Sequence, residues 1–428
     1  MSPRSTHPGR LGWPAPISRR ALLGASAGLA AAALTGCGPG KGAAKKPAPQ
    51  QDSGGPLTFW HYYGGQATKP IEDLLAKYSA EKGVEVTPRL IPFDDFNRTL
   101  LQSATAGDLP DIALLNAFDT ALFAQSEMII DLTDRVQQWG QSDQYFDGPL
   151  RTTQAQGRTW AVPHVADTYA LWTNDALLGD RPAPATWQDV ETMAPGLTAD
   201  KVFGLAYCAI EGVEGATAWL MRFLAAGGDF ARLDSEAGVR AMASFKSMLD
   251  AKATSPGVLT WNEDDVTTQF SNGLAAMMIN SASYVSSITE EKPDLKWSVA
   301  PMPNDQSQHS FLSAENLTIT ADSTHVDQAW ELITWLQQPA VMNEYLPARN
   351  KLPVRKDTAA DPQWSDPTRK TFIDQLDVAW APDEANAPAS AEILTAVQSA
   401  LQEVLSGAAE PAAALQKAQA AADKARQK

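Results

Sequence analysis

Short apolar runs alternate with helical patterns from residue 57 to residue 115, and this alternation restricts the fold more than any other feature of the sequence. Leu57–Trp60 and Asp111–Leu115 have the composition of strands, and the second is a run typical of a strand covered on both faces. Between them, the apolar residues of Pro70–Tyr78 fall on one side of a helix. Strands that alternate with helices predict an α/β domain with a mostly parallel sheet.

The N-terminal segment has the layout of an export signal. Arg19 and Arg20 precede an Ala-rich apolar run without an acidic residue, and small residues lead from this run to Cys37. The paired arginines indicate the twin-arginine route. We predict a signal peptide over residues 1–36 and, from its Gly, Ala, Lys and Pro content, a flexible tether over residues 37–56.

Charge and cysteine content exclude several classes of protein. Removal of residues 1–36 takes away four arginines and no acid, so the net charge falls from −16 to −20. This charge disfavours nucleic acids and anionic lipid surfaces as partners. With Cys37 committed to a lipid, Cys208 has no partner for a disulfide, and the fold must depend on its apolar core. The five histidines lack metal-ligand spacing, and we expect no metal and no cofactor.

The remaining length, about 390 residues, predicts roughly two domains. Two extended segments that contain proline, 158–175 and 297–303, predict crossings of the chain between them. The buried-type runs 202–207 and 275–279 predict further strands, as does 317–320. Residues 393–424 predict a pair of Ala-rich helices.

Several segments together match one family. They are Gly107–Ile112, Trp160–Pro163 with Leu171–Asn174, Gly273–Asn280, Val299–Pro303, and the tail around 405–415. In this order, behind the lipobox-like Cys37, the chain resembles the extracellular solute-binding proteins of family 1, the carbohydrate-binding lipoproteins of ABC importers.

The resemblance implies a type II periplasmic-binding-protein-like α/β fold, with two lobes joined by extended hinge crossings and a ligand cleft between them. We place the N-terminal lobe at 57–162 plus 300–353, and the C-terminal lobe at 163–299 plus 354–428. The implied function is capture of a neutral sugar or oligosaccharide for a membrane permease driven by an ATPase on other chains. We expect a monomer without catalytic activity, anchored outside the cell membrane by a lipid on Cys37.

Two alternatives stay open from the sequence. Phe59-Trp60-His61 suggests a binder of glycerol 3-phosphate or a related phosphorylated polyol, although a phosphate favours clustered bases or a helix N-terminus, and these stretches carry few bases. A secreted glycan-active enzyme would use acidic groups such as Asp94-Asp95 or Glu263-Asp264-Asp265. We interpret those groups as solvated helix starts.

A sugar presents hydroxyl groups at its rim and C–H groups on its faces, so aromatic, carboxylate and amide side chains suit its site. Trp60 and Trp219 are equally consistent with core positions, and Asp119 with a helix N-cap. The resemblance places an acidic residue at the hinge, here Asp167, and the segment around Tyr284 departs from the family's Gly-Pro-Trp pattern. The candidates for ligand binding are Trp60, Tyr62, Tyr63, Asn116, Asp119, Asp167, Tyr169, Trp219, Tyr284, Glu315, Asn316 and Trp380.

Overall fold

The computed structural model describes residues 55–427. The predicted signal peptide, the lipid on Cys37 and the tether up to residue 54 lie outside these residues. The chain divides into two compact units. Within the described range, the first unit comprises residues 55–114, 126–130 and 318–335, and the second comprises 115–125, 131–317 and 336–427. The lobe boundaries drawn from the sequence stay predictions.

The strands of the described residues are short, apart from β6 and β10. They are β1 (Leu57–His61), β2 (Val86–Leu90), β3 (Ile112–Asn116), β4 (Gln154–Ala155), β5 (Arg158–Thr159), β6 (Val162–Asn174), β7 (Phe203–Ala206), β8 (Ala275–Ser281), β9 (Trp297–Ala300), β10 (Ser310–Ile319) and β11 (Ala379–Trp380).

The α-helices of the described residues alternate with these strands. They are α1 (Thr68–Lys82), α2 (Phe93–Ala106), α3 (Thr120–Gln125), α4 (Thr133–Trp139), α5 (Asp147–Arg151), α6 (Asp175–Leu178), α7 (Trp187–Leu197), α8 (Thr217–Ala225), α9 (Glu236–Asp250), α10 (Glu263–Ser271), α11 (Val285–Glu291), α12 (Val326–Leu336), α13 (Pro339–Arg349), α14 (Lys356–Ala359), α15 (Pro367–Asp374), α16 (Ser390–Leu405) and α17 (Pro411–Arg426). Short 3-10 helices connect several of them.

The first unit contains a parallel sheet in the order β2–β1–β3. Phe59 of β1 lies opposite Ile112 of β3, and both side chains are fully buried. Helix α1 buries Ile71 and Tyr78 from the face that the sequence predicts. The alternation of strand and helix therefore produces the parallel α/β arrangement that was expected of it.

The second unit is organised around β6, whose 13 residues are all buried. β6 pairs antiparallel with β10 along its first half and with β8 and β9 along its second half. Pro163 lies in β6 opposite Asn316, beside a break in the register of β10, which fits the absence of an N–H donor from proline. The extended segment predicted from residue 158 onwards is confirmed.

Local signals in the sequence also explain where helices begin and end. Thr186 and Asp189 form a capping box at the start of α7. Gly107 ends α2 with a φ of 69°, a left-handed conformation that glycine adopts without strain. The predicted strand over 317–320 was too short, because β10 already begins at Ser310. No helix among residues 55–427 is both long and apolar enough to cross a membrane.

Candidate functional site

Carboxylates from distant segments of the second unit meet beside Tyr169 of β6. The Tyr169 hydroxyl donates a hydrogen bond to Oε1 of Glu263, the first residue of α10. The backbone N–H of Glu263 donates to Oε1 of Glu214 at 2.7 Å. A strand, a helix start and a 3-10 turn thus bring a phenol and two carboxylates together.

This arrangement corrects one interpretation of the sequence. Asp265 is exposed and closes a capping box with Asn262, as expected of a solvated helix start. Glu263 is different, because it is half-buried and accepts the Tyr169 hydroxyl. The capping pattern of α10 predicts the helix start and does not reveal that its first side chain is directed at another strand.

Negative charge is disfavoured on this cluster. Desolvation, followed by repulsion from Glu214, raises the pKa of Glu263 well above its ordinary value. Burial likewise raises the pKa of Glu214, and burial together with Glu263 raises the pKa of Tyr169. A hydrogen-bond donor supplied by a ligand would stabilise the ionised form of such a desolvated carboxyl group.

Tyr284 adds a second phenol to this surface. Its hydroxyl donates to Oδ1 of Asp264 at 2.9 Å, and its ring is half-buried. Asn280 of β8 fixes the start of α10, because its amide donates to the Glu263 carbonyl at 3.1 Å and to the Thr267 hydroxyl at 2.9 Å. Strand β8 therefore holds α10 in place beside the two tyrosines.

Aromatic rings continue from Tyr169 towards Trp380. Phe311 of β10 lies 5.5 Å from the Tyr169 ring and 6.3 Å from the Trp380 ring, measured between centroids. Phe230 meets Trp380 edge-on at 4.8 Å, and Phe118 lies 6.2 Å from it. The three phenylalanines are buried and Trp380 is half-buried, so the indole keeps accessible surface over an apolar support.

Tyr169 is itself buried and contacts both groups of side chains, which together we call the acidic-aromatic site. Carboxylate oxygens accept hydrogen bonds from hydroxyl groups, and an exposed indole face packs against C–H groups. Among the described residues no group of three or more His, Cys, Asp or Glu side chains is placed to hold a metal ion. The acidic-aromatic site consists of Tyr169, Glu214, Glu263, Asp264, Tyr284 and Trp380.

Asp167, two residues before Tyr169, lies next to this site. It is 1% exposed, and its carboxylate accepts backbone N–H groups of Ala282 at 3.0 Å and Ser283 at 3.2 Å. The Ser283 hydroxyl also donates to it, and the ammonium group of Lys351 lies 3.4 Å away. Its predicted ligand contact stays a prediction.

Other predicted residues of the second unit make internal contacts. Asn116 caps the 3-10 turn that contains Asp119, because its Oδ1 accepts the N–H of Phe118 at 3.0 Å. Asn316 is fully buried and donates to the hydroxyls of Thr120 and Thr152, both at 3.0 Å.

Trp219 is also fully buried and stacks on Phe223 at 4.7 Å and 11°. Glu315 is half-buried at the register break of β10. The structure does not gather Asn116, Asp119, Trp219, Glu315 and Asn316 at the acidic-aromatic site, and their ligand roles stay predictions.

The three aromatic candidates of the first unit follow the end of β1. Trp60 is 5% exposed, and the Arg89 guanidinium lies 4.4 Å from its ring centroid. Tyr62 packs edge-on against Phe93 and Phe96 at 4.9 and 5.1 Å. Tyr63 is 3% exposed. Their ligand contacts likewise stay predictions.

Glu214 was not among the residues predicted for the site, and Phe311 had no predicted role. Phe311 lies opposite Trp380 in the parallel pairing of β10 with β11, and no local sequence pattern indicates that pairing. No local pattern marks Glu214, since its partner Glu263 is 49 residues away.

Comparisons with known proteins agree with this fold. The galactooligosaccharide-binding protein of Bacillus subtilis is 22% identical over 403 residues, covering 90% of this chain and 92% of the relative. The sugar-binding protein MalE of Xanthomonas citri superimposes with a TM-score of 0.77 at 21% identity, over 87% of this chain and 98% of that one. UgpB of Mycobacterium tuberculosis, solved with glycerophosphocholine, superimposes with a TM-score of 0.75 at 20% identity, over 87% of this chain and 98% of that one.

The family described as bacterial extracellular solute-binding protein matches residues 73–371, and the chain belongs to it. The family resemblance and the α/β binding-protein fold class expected from the sequence are both confirmed. Membership also places the protein outside the cytoplasm.

Proposed function

We propose that the protein captures a neutral sugar or oligosaccharide and delivers it to the membrane permease of an ABC importer. The observation that carries this proposal is the acidic-aromatic site of the second unit. Trp380 is partly exposed beside Phe311, and Tyr169 contacts both Phe311 and Glu263. The C–H face and the hydroxyl rim of a sugar match these two parts.

The charge of the site argues against a phosphorylated polyol. A phosphate needs cationic donors, and arginine forks suit it best. At the acidic-aromatic site the groups that surround Tyr169 and Tyr284 are the carboxylates of Glu214, Glu263 and Asp264. The Lys351 ammonium lowers the pKa of Glu263, and it is already engaged with Asp167. The likeness to UgpB concerns the fold, and these residues favour a neutral ligand.

We also infer that the protein is a monomeric lipoprotein that binds without catalysis. The order of paired arginines, apolar run and Cys37 supports a lipid anchor, and residues 37–56 would supply the tether. A single acyl-type anchor would keep the domain close to its permease. The Glu214 carboxylate is engaged by the protein itself, because it accepts the backbone N–H of Glu263.

Calorimetry with the purified protein tests the proposal. Maltose, maltotetraose and a galactooligosaccharide form the neutral panel, and glycerol 3-phosphate and glycerophosphocholine form the control panel. We expect saturable heat with at least one neutral sugar and none with the phosphorylated compounds. Heat from the phosphorylated compounds alone would refute the proposal. A sugar recovered unchanged, as judged by mass spectrometry, is expected from a protein without catalysis.

A further inference from the structure

Asp167 is already saturated by donors of the protein. Oδ1 accepts the N–H of Thr168 at 2.9 Å and of Ala282 at 3.0 Å. Oδ2 accepts the N–H of Ser283 at 3.2 Å and its hydroxyl, and lies 3.4 Å from the Lys351 ammonium. A carboxylate has about four acceptor positions, so these five donors leave none for a ligand hydroxyl.

Two of those donors belong to a helix that lacks a cap of its own. The 3-10 helix Ala282–Tyr284 follows Ser281, whose side chain makes no capping hydrogen bond. Helix α11 continues directly from Tyr284, which also provides no side-chain cap. Free N–H groups at a buried helix start are costly. Asp167 satisfies them from β6, 115 residues earlier in the chain.

The residue that ends this 3-10 helix is Tyr284, which carries one of the two phenols of the acidic-aromatic site. Its direction depends on the backbone of Ala282 and Ser283, and that backbone is held by Asp167. Lys351 reinforces the arrangement, because its ammonium group also donates to the Ser283 hydroxyl at 3.1 Å. Loss of the hydrogen bonds that Asp167 accepts from Ala282 and Ser283 should therefore shift the position of Tyr284.

We propose that Asp167 is a positioning residue, which caps the 3-10 helix 282–284 from the adjacent strand and thereby fixes where Tyr284 meets the ligand. The proposal rests on the proposed function, since it assigns Tyr284 to sugar binding. A positioning role differs from a direct ligand contact in one respect. If Asp167 acts through Tyr284, a substitution of Asp167 should not change the Kd of a variant that lacks the Tyr284 side chain.

A double-mutant cycle separates the two roles. Wild type, Asp167→Asn, Tyr284→Ala and the double variant are titrated with whichever of maltose, maltotetraose and the galactooligosaccharide binds the wild type tightest. Loss of hydrogen bonds to a buried carboxylate predicts roughly a tenfold rise in Kd for Asp167→Asn. The double variant should bind no worse than Tyr284→Ala alone. Additive effects, or no effect of Tyr284→Ala, would overturn the proposal.

A second measurement does not depend on the ligand. Asp167→Asn should speed hydrogen exchange at the amides of Ala282 and Ser283 and leave those of β7 unchanged. If these two amides exchange at the wild-type rate, the proposal is wrong, whether or not a sugar binds. If no sugar of the panel binds the wild type, the proposed function fails and the exchange result still decides the capping role.

The first unit offers a matched control. Asp111 is 6% exposed and likewise saturated, by Thr58, the Ser323 hydroxyl at 2.7 Å and His325 at 3.0 Å. Asp111→Asn should lower the melting temperature without a change in Kd.

If Asp167→Asn does not fold, Ser283→Ala takes its place in the cycle, because it removes one donor to Asp167. Its effect on Kd should be smaller and should likewise disappear when Tyr284 is alanine. Additive effects of Ser283→Ala and Tyr284→Ala would overturn the proposal.

Discussion

Replacement of Trp380 by alanine removes the accessible indole face of the acidic-aromatic site. The ring is half-buried and supported by Phe311 and Phe230, so the substitution takes away the surface on which a sugar would stack. One ring face is about a third of the ~150–250 Å² that an aromatic side chain buries, and at about 25 cal/mol per Å² it contributes roughly 1.5 kcal/mol. This energy corresponds to about a tenfold rise in Kd.

Isothermal titration calorimetry with the tightest sugar of the panel measures this change. Trp380→Phe should keep most of the affinity, because a smaller ring still covers Phe311. Trp297→Ala is the matched control, since Trp297 is also half-buried and its ring lies 4.9 Å from the buried Trp172. Trp297 pairs with Asn174 of β6, which is five residues from Tyr169. At ~3.3 Å per residue, Asn174 lies about 16 Å along the strand from Tyr169. An unchanged Kd for Trp380→Ala with a lowered melting temperature would refute the stacking role.

Three further perturbations follow from the same structure. Because the pKa of Glu263 is raised, the folded state binds the proton of its carboxyl group more tightly than the unfolded chain does, and the free energy of unfolding should fall as pH rises above about 4.5. Glu263→Gln should make the melting temperature depend less on pH between pH 4 and 8. The same pH dependence in this variant and the wild type would contradict the raised pKa of Glu263. Trp219→Ala should cost about 3–5 kcal/mol in urea unfolding, because Trp219 is fully buried and stacked on Phe223; a loss below about 1 kcal/mol would disagree with a core position. Cys37→Ser should release the protein from the membrane fraction, and persistent association would disprove the lipid anchor.

Local patterns predicted most of the elements correctly. β1 and β3 follow from their strand-like composition, α1 follows from its period of 3.6 residues, and α7 follows from its capping box. The start of β10 was missed, because Ser310–Asn316 mixes polar and apolar residues although the strand is mostly buried. Burial of that kind depends on neighbours from elsewhere in the chain, and a local pattern does not contain them.

The site was only partly predictable for the same reason. The sequence proposed Tyr169, Tyr284 and Trp380 from their residue types and positions, and the structure brings them to the acidic-aromatic site. Their partners lie far away in the chain, since 94 residues separate Tyr169 from Glu263. The role of Asp167 depends on a helix start 115 residues later, so spacing within the sequence does not distinguish a cap from a ligand contact.

A crystal structure of the protein with the tightest sugar of the panel would show where the sugar binds. We expect a sugar ring against Trp380, with its hydroxyl groups within hydrogen-bond distance of Glu263 or Tyr284. A sugar bound elsewhere on the protein, with Trp380 and Glu263 free of contact, would contradict this expectation.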